Sequence, residues 1–118
     1  MSTPEEKDLP DFEITTKEDG EIVMRLTKKI DGNTSDAIND AAITALKSAE
    51  DITKFVFDVS DVTYVSSSGL RMFSQISNVC RKRGIPYQII EMRPDIYRIF
   101  QLTGYANVFD IKVKEEQI

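Results

Sequence analysis

Three consecutive serines, Ser66, Ser67 and Ser68, stand directly before Gly69 and the helix-periodic run that begins at Leu70. Hydroxyls in such a row can cap a helix, carry a phosphoryl group, or attack a substrate where a base is at hand. The last use has nothing to stand on. The chain has no histidine, the commonest general base, and none of its serines sits in a Gly-x-Ser-x-Gly elbow. Upstream, Phe55-Val56-Phe57-Asp58 reads as a buried strand; downstream, an amphipathic helix opens. The serines therefore fall at a helix N-terminus just beyond the carboxyl end of a strand. Backbone N–H groups are unpaired there and the helix dipole is positive, so an added phosphate is well tolerated. One of Ser66 and Ser67 reads as a plain N-cap, which leaves a serine surplus to capping. Ser68 precedes Gly69, whose missing side chain leaves room for a partner to approach. The row reads as a phosphorylation switch on a small binding protein.

The residues around the serines have less specific readings. Asp58 ends the most apolar strand, where a carboxylate either braces the following loop or holds a serine hydroxyl for a partner kinase. Arg71 and Met72 read as exposed positions in the first turns of the helix. Thr34 is a good N-cap for an earlier helix, with Asp36 in its first turn. Cys80 lies on the apolar face of its helix and reads as a buried structural thiol. A single cysteine forms no internal disulfide and suits a reducing cytosol.

Other chemistries lack their residues. One Cys and no His leave no usual zinc set. There is no P-loop, and Gly69 and Gly84 are too far apart for a dinucleotide fingerprint. No cofactor is implied.

The elements that must position the serines follow from periodicity. Met1 to Pro10 is polar and acidic, the reading being a flexible lead rather than a signal peptide, followed by one domain over residues 11–118. Phe12 and Ile14 alternate with polar residues as in a strand, Asp19-Gly20 signals a hairpin, and Ile22 to Leu26 forms the return strand. Ile30-Asp31-Gly32-Asn33 breaks the pattern. Ala37, Ile38, Ala41, Ala42, Ala45, Leu46 and Ala49 recur at helical spacing, and the alanines suit close packing on a sheet. Lys54 to Val59 is a nearly continuous apolar run of the kind found in strands covered on both faces. The second helix runs from Ser67 or Ser68 to Arg83, with Leu70, Phe73, Ile76 and Cys80 inward and Gly84 as its stop. Tyr87 to Ile90 is a strand after Pro86. Pro94 opens a third helix with Ile96, Ile99, Phe100 and Leu102 as its apolar face, ended by Gly104. Val108 to Val113 is a last short strand or ordered tail. The order β-β-α-β-α-β-α-(β) predicts an α/β fold with a mixed, mainly parallel sheet and packed helices. In such sheets, sites gather at the carboxyl ends of strands.

Composition narrows the partners. The chain has 118 residues, 41% of them hydrophobic, enough for one ordinary domain core. Its formal net charge is −5, which argues against nucleic acid, since phosphate backbones need clustered cations. The one tight basic cluster, Arg81-Lys82-Arg83, falls at a helix end, where cations complement the dipole. No window approaches the apolar length of a membrane span, so no membrane insertion is expected.

Two longer motifs carry a resemblance. The stretch from Asp58-Val59-Ser60 to Ser67-Ser68-Gly69-Leu70, and Arg93-Pro94-Asp95-Ile96-Tyr97-Arg98-Ile99-Phe100-Gln101-Leu102-Thr103-Gly104, resemble a STAS domain of the anti-sigma factor antagonist type. Ile30-Asp31 followed by Thr34 is similar to that family's approach to its first helix. The likeness covers about Asp11 to Val113. It implies a STAS-type fold and a cytoplasmic protein without catalytic activity. It also implies a partner, an anti-sigma factor with a histidine-kinase-like ATPase fold, which the unphosphorylated chain binds so as to free a sigma factor. That kinase phosphorylates the serine before the motif glycine, by position Ser68 with Ser67 as the neighbouring alternative, and a PP2C-type phosphatase resets the cycle. Asp58, Ser66, Gly69, Arg71, Met72, Asp31 and Thr34 are the implied partner-binding residues. Ser66 stands where many members of the sporulation branch carry an acidic residue. Two other readings stay open: a stand-alone STAS scaffold subunit of a transporter or stress-signalling complex, and a small-ligand or nucleotide-binding module using the helix N-terminus. The oligomeric state is not legible.

Overall fold

The computed structural model describes residues 11–115, so the acidic lead lies outside the described residues. Strand β1 (Phe12–Thr16) turns back on β2 (Glu21–Ile30), and the two pair antiparallel. The turn needs its glycine twice over. Gly20 has φ +90°, and a Cβ there would stand 2.4 Å from the carbonyl oxygen of Asp51. The chain continues through α1 (Ser35–Ser48), β3 (Lys54–Val65), α2 (Ser67–Lys82), β4 (Tyr87–Met92) and α3 (Pro94–Leu102). A short 3-10 turn (Tyr105–Asn107) then leads to β5 (Ile111–Val113).

The sheet order is β1-β2-β3-β4-β5, with β2, β3, β4 and β5 parallel to one another. This is the mixed, mainly parallel α/β architecture expected from the sequence. Each crossover steps one strand in the same direction. Right-handed connections therefore put all three helices on one face. Register agrees: Ile22 lies opposite Phe55, and Phe57 opposite both Met24 and Ile89, all in one core with Ile38, Leu46, Phe73, Ile76, Cys80, Ile96 and Phe100. Ring contacts knit the helices over that face. Phe57 meets Phe73 edge-on at 5.2 Å between centroids, and Phe73 meets Phe100 at 5.8 Å.

Several sequence expectations change. The apolar run in β3 suggested cover on both faces, but no described helix packs on the other side. Val56 is nonetheless only 1% exposed there, flanked in register by Val23 and Gln88. β3 does not end near Asp58 or Val59; it runs to Val65 alongside a β2 that runs to Ile30, with irregular register between Arg25 and Thr27 and between Lys28 and Lys29. Polar Ser60, Asp61 and Thr63 break the alternation that would have shown the extension. Leu102 was placed on the apolar face of α3 but is 77% exposed, because the helix ends there and turns through Thr103 and left-handed Gly104. Residues Tyr105–Asn107 form the 3-10 turn, so the last strand covers only Ile111–Val113. Cys80 is buried and free, as expected, and burial pushes its thiol up to about 11, partly offset by the nearby Arg83 guanidinium. No helix among the described residues is long and apolar enough to cross a membrane.

Candidate functional site

The serine row sits where β3 hands over to α2, beside the end of β2. Ser66 is the N-cap of α2, with extended backbone, and its Oγ accepts a hydrogen bond from the Gly69 N–H at 3.3 Å. The Ser66 N–H donates to the carbonyl of Ile30 at 2.8 Å, and the Ser66 carbonyl accepts from Leu70 N–H at 3.0 Å. The first serine is therefore committed to structure on three sides. Ser67 is exposed in the first turn and Ser68 is half-buried beside it.

The space left by the missing side chain of Gly69 is filled by the chain itself. Gly69 is buried, and a Cβ there would lie 2.9 Å from both Ile30 Cγ2 and Val65 Cγ1. Close contact of this kind leaves room only for glycine. It brings the N-terminus of α2 down onto the ends of β2 and β3.

The β2–α1 loop forms the opposite wall. Asp31 organises it: its Oδ1 accepts the Asn33 N–H at 2.9 Å, and its carbonyl accepts the N–H groups of Thr34 and Ser35 at 3.2 and 2.9 Å. This Asx-type turn holds Gly32 toward α2. A Cβ on Gly32 would come within 4.0 Å of Ser68 Oγ. Thr34 stands at the N-cap position, but its side chain does not cap α1. Its Oγ1 donates to the Lys29 carbonyl at 2.9 Å and accepts the Asp31 N–H at 3.1 Å. The reading of Thr34 as a capping side chain is thus corrected: the hydroxyl braces the loop, because the turn brings Asp31 and Lys29 within its reach.

Between the two walls lies a cavity of about 180 Å³ lined by Gly32, Ser35, Asp36, Asn39, Ser68, Arg71, Met72 and Gln75. It opens at the N-termini of α1 and α2, where both dipoles present their positive ends. A second, more open groove of about 380 Å³ lies on the other side of the same loop, lined by Asp11, Lys28, Lys29, Asp31, Asn33, Thr34 and Thr63. Ser68, Arg71 and Met72 therefore meet at one cavity, while Asp31 and Thr34 share the neighbouring groove.

Two positions fall elsewhere than the sequence suggested. Met72 is 2% exposed and belongs to the core, not to the surface. Helix α1 lies against that side of α2, which widens its buried face beyond the Leu70, Phe73, Ile76 stripe. Asp58 does not reach the serines. It sits mid-strand opposite Arg25 and Ile90, alternating with core-facing Phe57, and the rest of β3 separates it from Ser66. Its Oδ1 accepts the Ser60 N–H at 2.9 Å, so its role in the structure is to brace β3.

Sequence reasoning missed Gly32, Ser35, Asp36, Asn39 and Gln75 as cavity residues. Helical spacing holds part of the signal: Asn39 lies one turn beyond Ser35 and Asp36, and Gln75 one turn beyond Arg71. What spacing could not show is that the two helices would face one another at these turns.

A family model described as the STAS domain matches residues 13–118. A curated relative, the anti-sigma-B factor antagonist of Bacillus subtilis (strain 168), is 29% identical over 58 residues. That match covers 49% of this chain and 53% of the relative, so the chain spans about half the length of the relative it matches. Among solved structures, an anti-sigma factor antagonist from Mycobacterium paratuberculosis superposes with a TM-score of 0.75 at 22% identity, covering 88% of each chain. The Bacillus cell fate determinant SpoIIAA in its phosphorylated form gives a TM-score of 0.67 at 17% identity, covering 88% of this chain and 92% of that one.

Proposed function

Because the chain belongs to the STAS domain family, we propose that it is a cytoplasmic anti-sigma factor antagonist whose binding is switched at Ser68. The unphosphorylated chain binds an anti-sigma factor with a histidine-kinase-like ATPase fold and so frees a sigma factor. The kinase moves the γ-phosphoryl group of ATP to Ser68 Oγ; the hydroxyl proton is released and ADP leaves. A PP2C-type phosphatase hydrolyses the phosphoserine and restores the binding form. The chain itself acts as a binding protein.

The observation that carries this reading is the division of labour in the serine row. Ser66 is committed to capping α2, whereas Ser68 lines a cavity at the sheet's carboxyl edge. The name of the curated relative and the phosphorylated form of SpoIIAA among the fold neighbours support it.

Magnitudes favour a switch that acts on the partner rather than on the fold. A phosphate brings about −1.5 to −2 charge at neutral pH. At a helix N-terminus that charge is welcome by about 0.3–1 kcal/mol. In the middle of a contact patch it must be desolvated, and losing a central contact commonly costs about 2 kcal/mol or more, over tenfold in affinity. The intermolecular effect is the larger.

The test is an in vitro kinase reaction with the ATPase-type anti-sigma factors of the source cell, followed by peptide mass spectrometry and binding measurements. Phosphate on Ser68, with loss of binding, supports the reading. Tight binding that is indifferent to phosphate overturns it in favour of a scaffold.

A further inference from the structure

We propose that the Arg71 guanidinium pairs with the phosphate carried on Ser68 and holds it at the cavity between α1 and α2, opposite Asp36. The proposal rests on the reading of Ser68 as the modified serine, and gives its regulation a residue.

Ser68 and Arg71 are three apart on α2, so their side chains are neighbours, with Cβ atoms about 5–6 Å apart. Both line the same cavity. Arg71 is exposed, and among the described residues it makes no ion pair or side-chain hydrogen bond. A guanidinium offers a planar fork of donors that matches two phosphate oxygens, which an ammonium cannot do.

The cavity holds one opposing charge. Asp36, from the first turn of α1, lines it as well and makes no ion pair with Arg71. A dianion on the neighbouring turn of Arg71's own helix competes favourably with a single carboxylate across the cavity. The other charges at this edge, Asp11, Asp31, Lys28 and Lys29, line the separate groove beyond the β2–α1 loop. Asn39 adds to the wall. Its Oδ1 is buried without a hydrogen-bond partner.

The pairing would change the surface in two ways at once. Phosphorylation adds a dianion, and it also withdraws the Arg71 guanidinium from what the chain presents to a partner.

The experiment places phosphoserine at position 68 of the full chain by genetic-code expansion, so that no kinase is required. The phosphate is titrated by phosphorus-31 NMR in wild type, Arg71→Gln and Asp36→Asn backgrounds, with circular dichroism confirming the fold of each. The second ionisation of phosphoserine is ordinarily near pH 6. In wild type it is expected to lie lower than in Arg71→Gln by roughly half a pH unit or more, and lower still in Asp36→Asn. Coincident titrations for wild type and Arg71→Gln, or a shift the other way, overturn the proposal. Because the phosphate is installed without a kinase, that outcome says nothing against the antagonist function. Conversely, failure of the kinase reaction leaves the titration interpretable.

Discussion

A methyl group at Gly69 would stand 2.8 Å from the carbonyl oxygen of Ile30, the same oxygen that accepts the Ser66 N–H. The start of α2 and the end of β2 are in contact through backbone, with no side chain between them. The position of the serine row is thus set by the sheet rather than by the loop that carries it.

Replacing Gly69 by alanine should therefore be costly even though Ala is the better helix former. Overpacking against backbone is expected to destabilise by about 1–3 kcal/mol, against a propensity gain of roughly 1 kcal/mol for Ala over Gly. Urea unfolding of Gly69→Ala checks the sign; a variant at least as stable as wild type would mean that α2 can lift off Ile30 freely.

The serines should separate in a stability scan. Ser66→Ala removes the cap and is expected to cost about 0.5–2 kcal/mol, while Ser66→Gly costs only a few tenths. Ser67→Ala, at an exposed position with no side-chain bond among those described, should stay within about 0.5 kcal/mol of wild type. Thermal melts of the three variants test this order.

Ser68→Asp should leave the fold within about 0.5 kcal/mol of wild type, since an acidic group in the first turn suits the dipole. Affinity for the anti-sigma partner should fall more than about tenfold. Isothermal titration calorimetry beside a thermal melt separates the two effects. A melted variant would place the switch in the fold; an intact variant with unchanged affinity would remove Ser68 from the interface.

Alkaline pH should weaken the packing through Cys80 and Tyr87. The Cys80 thiol is raised from 9.0 to about 11 by burial. The Tyr87 phenol is raised well above its usual range, chiefly by burial, and its hydroxyl donates to the Phe73 carbonyl at 3.0 Å. Both groups are held protonated in the folded chain. Their contribution is therefore complete below pH 9 and is lost as pH rises from about 9 toward and beyond 11. Stability measured against pH should bend downward above pH 9, less steeply in Cys80→Ala. Thiol reagents should label native Cys80 slowly at neutral pH, at a rate that rises with denaturant.

Much of this architecture was legible because the signals were local. Asp19-Gly20, Pro94 and Gly104 each mark a boundary that the structure keeps. The stripe from Leu70 to Cys80 reports one buried face of α2. What stayed hidden depends on neighbours. Met72 reads as exposed until α1 is laid beside α2, and Thr34 reads as a cap until the Asp31 turn offers it better partners. Asp58 looks close to the serines only if β3 stops early, and polar Ser60, Asp61 and Thr63 disguise the strand that separates them. The serine row was visible as a motif, but the cavity that distinguishes Ser68 is made by two segments far apart in the chain, one running from Gly32 to Asn39 and one from Ser68 to Gln75.

The sheet order has a bearing on how the chain comes together during synthesis. Strands lie side by side in the order in which the ribosome delivers them. No strand has to slide between two that are already joined, and each new one meets an open edge left by the last. The nascent chain can therefore grow its sheet outward as it emerges. The serine row is the exception to strict sequence, because the two faces of its cavity come from α1 and α2: it is complete only when the second helix has closed onto the first.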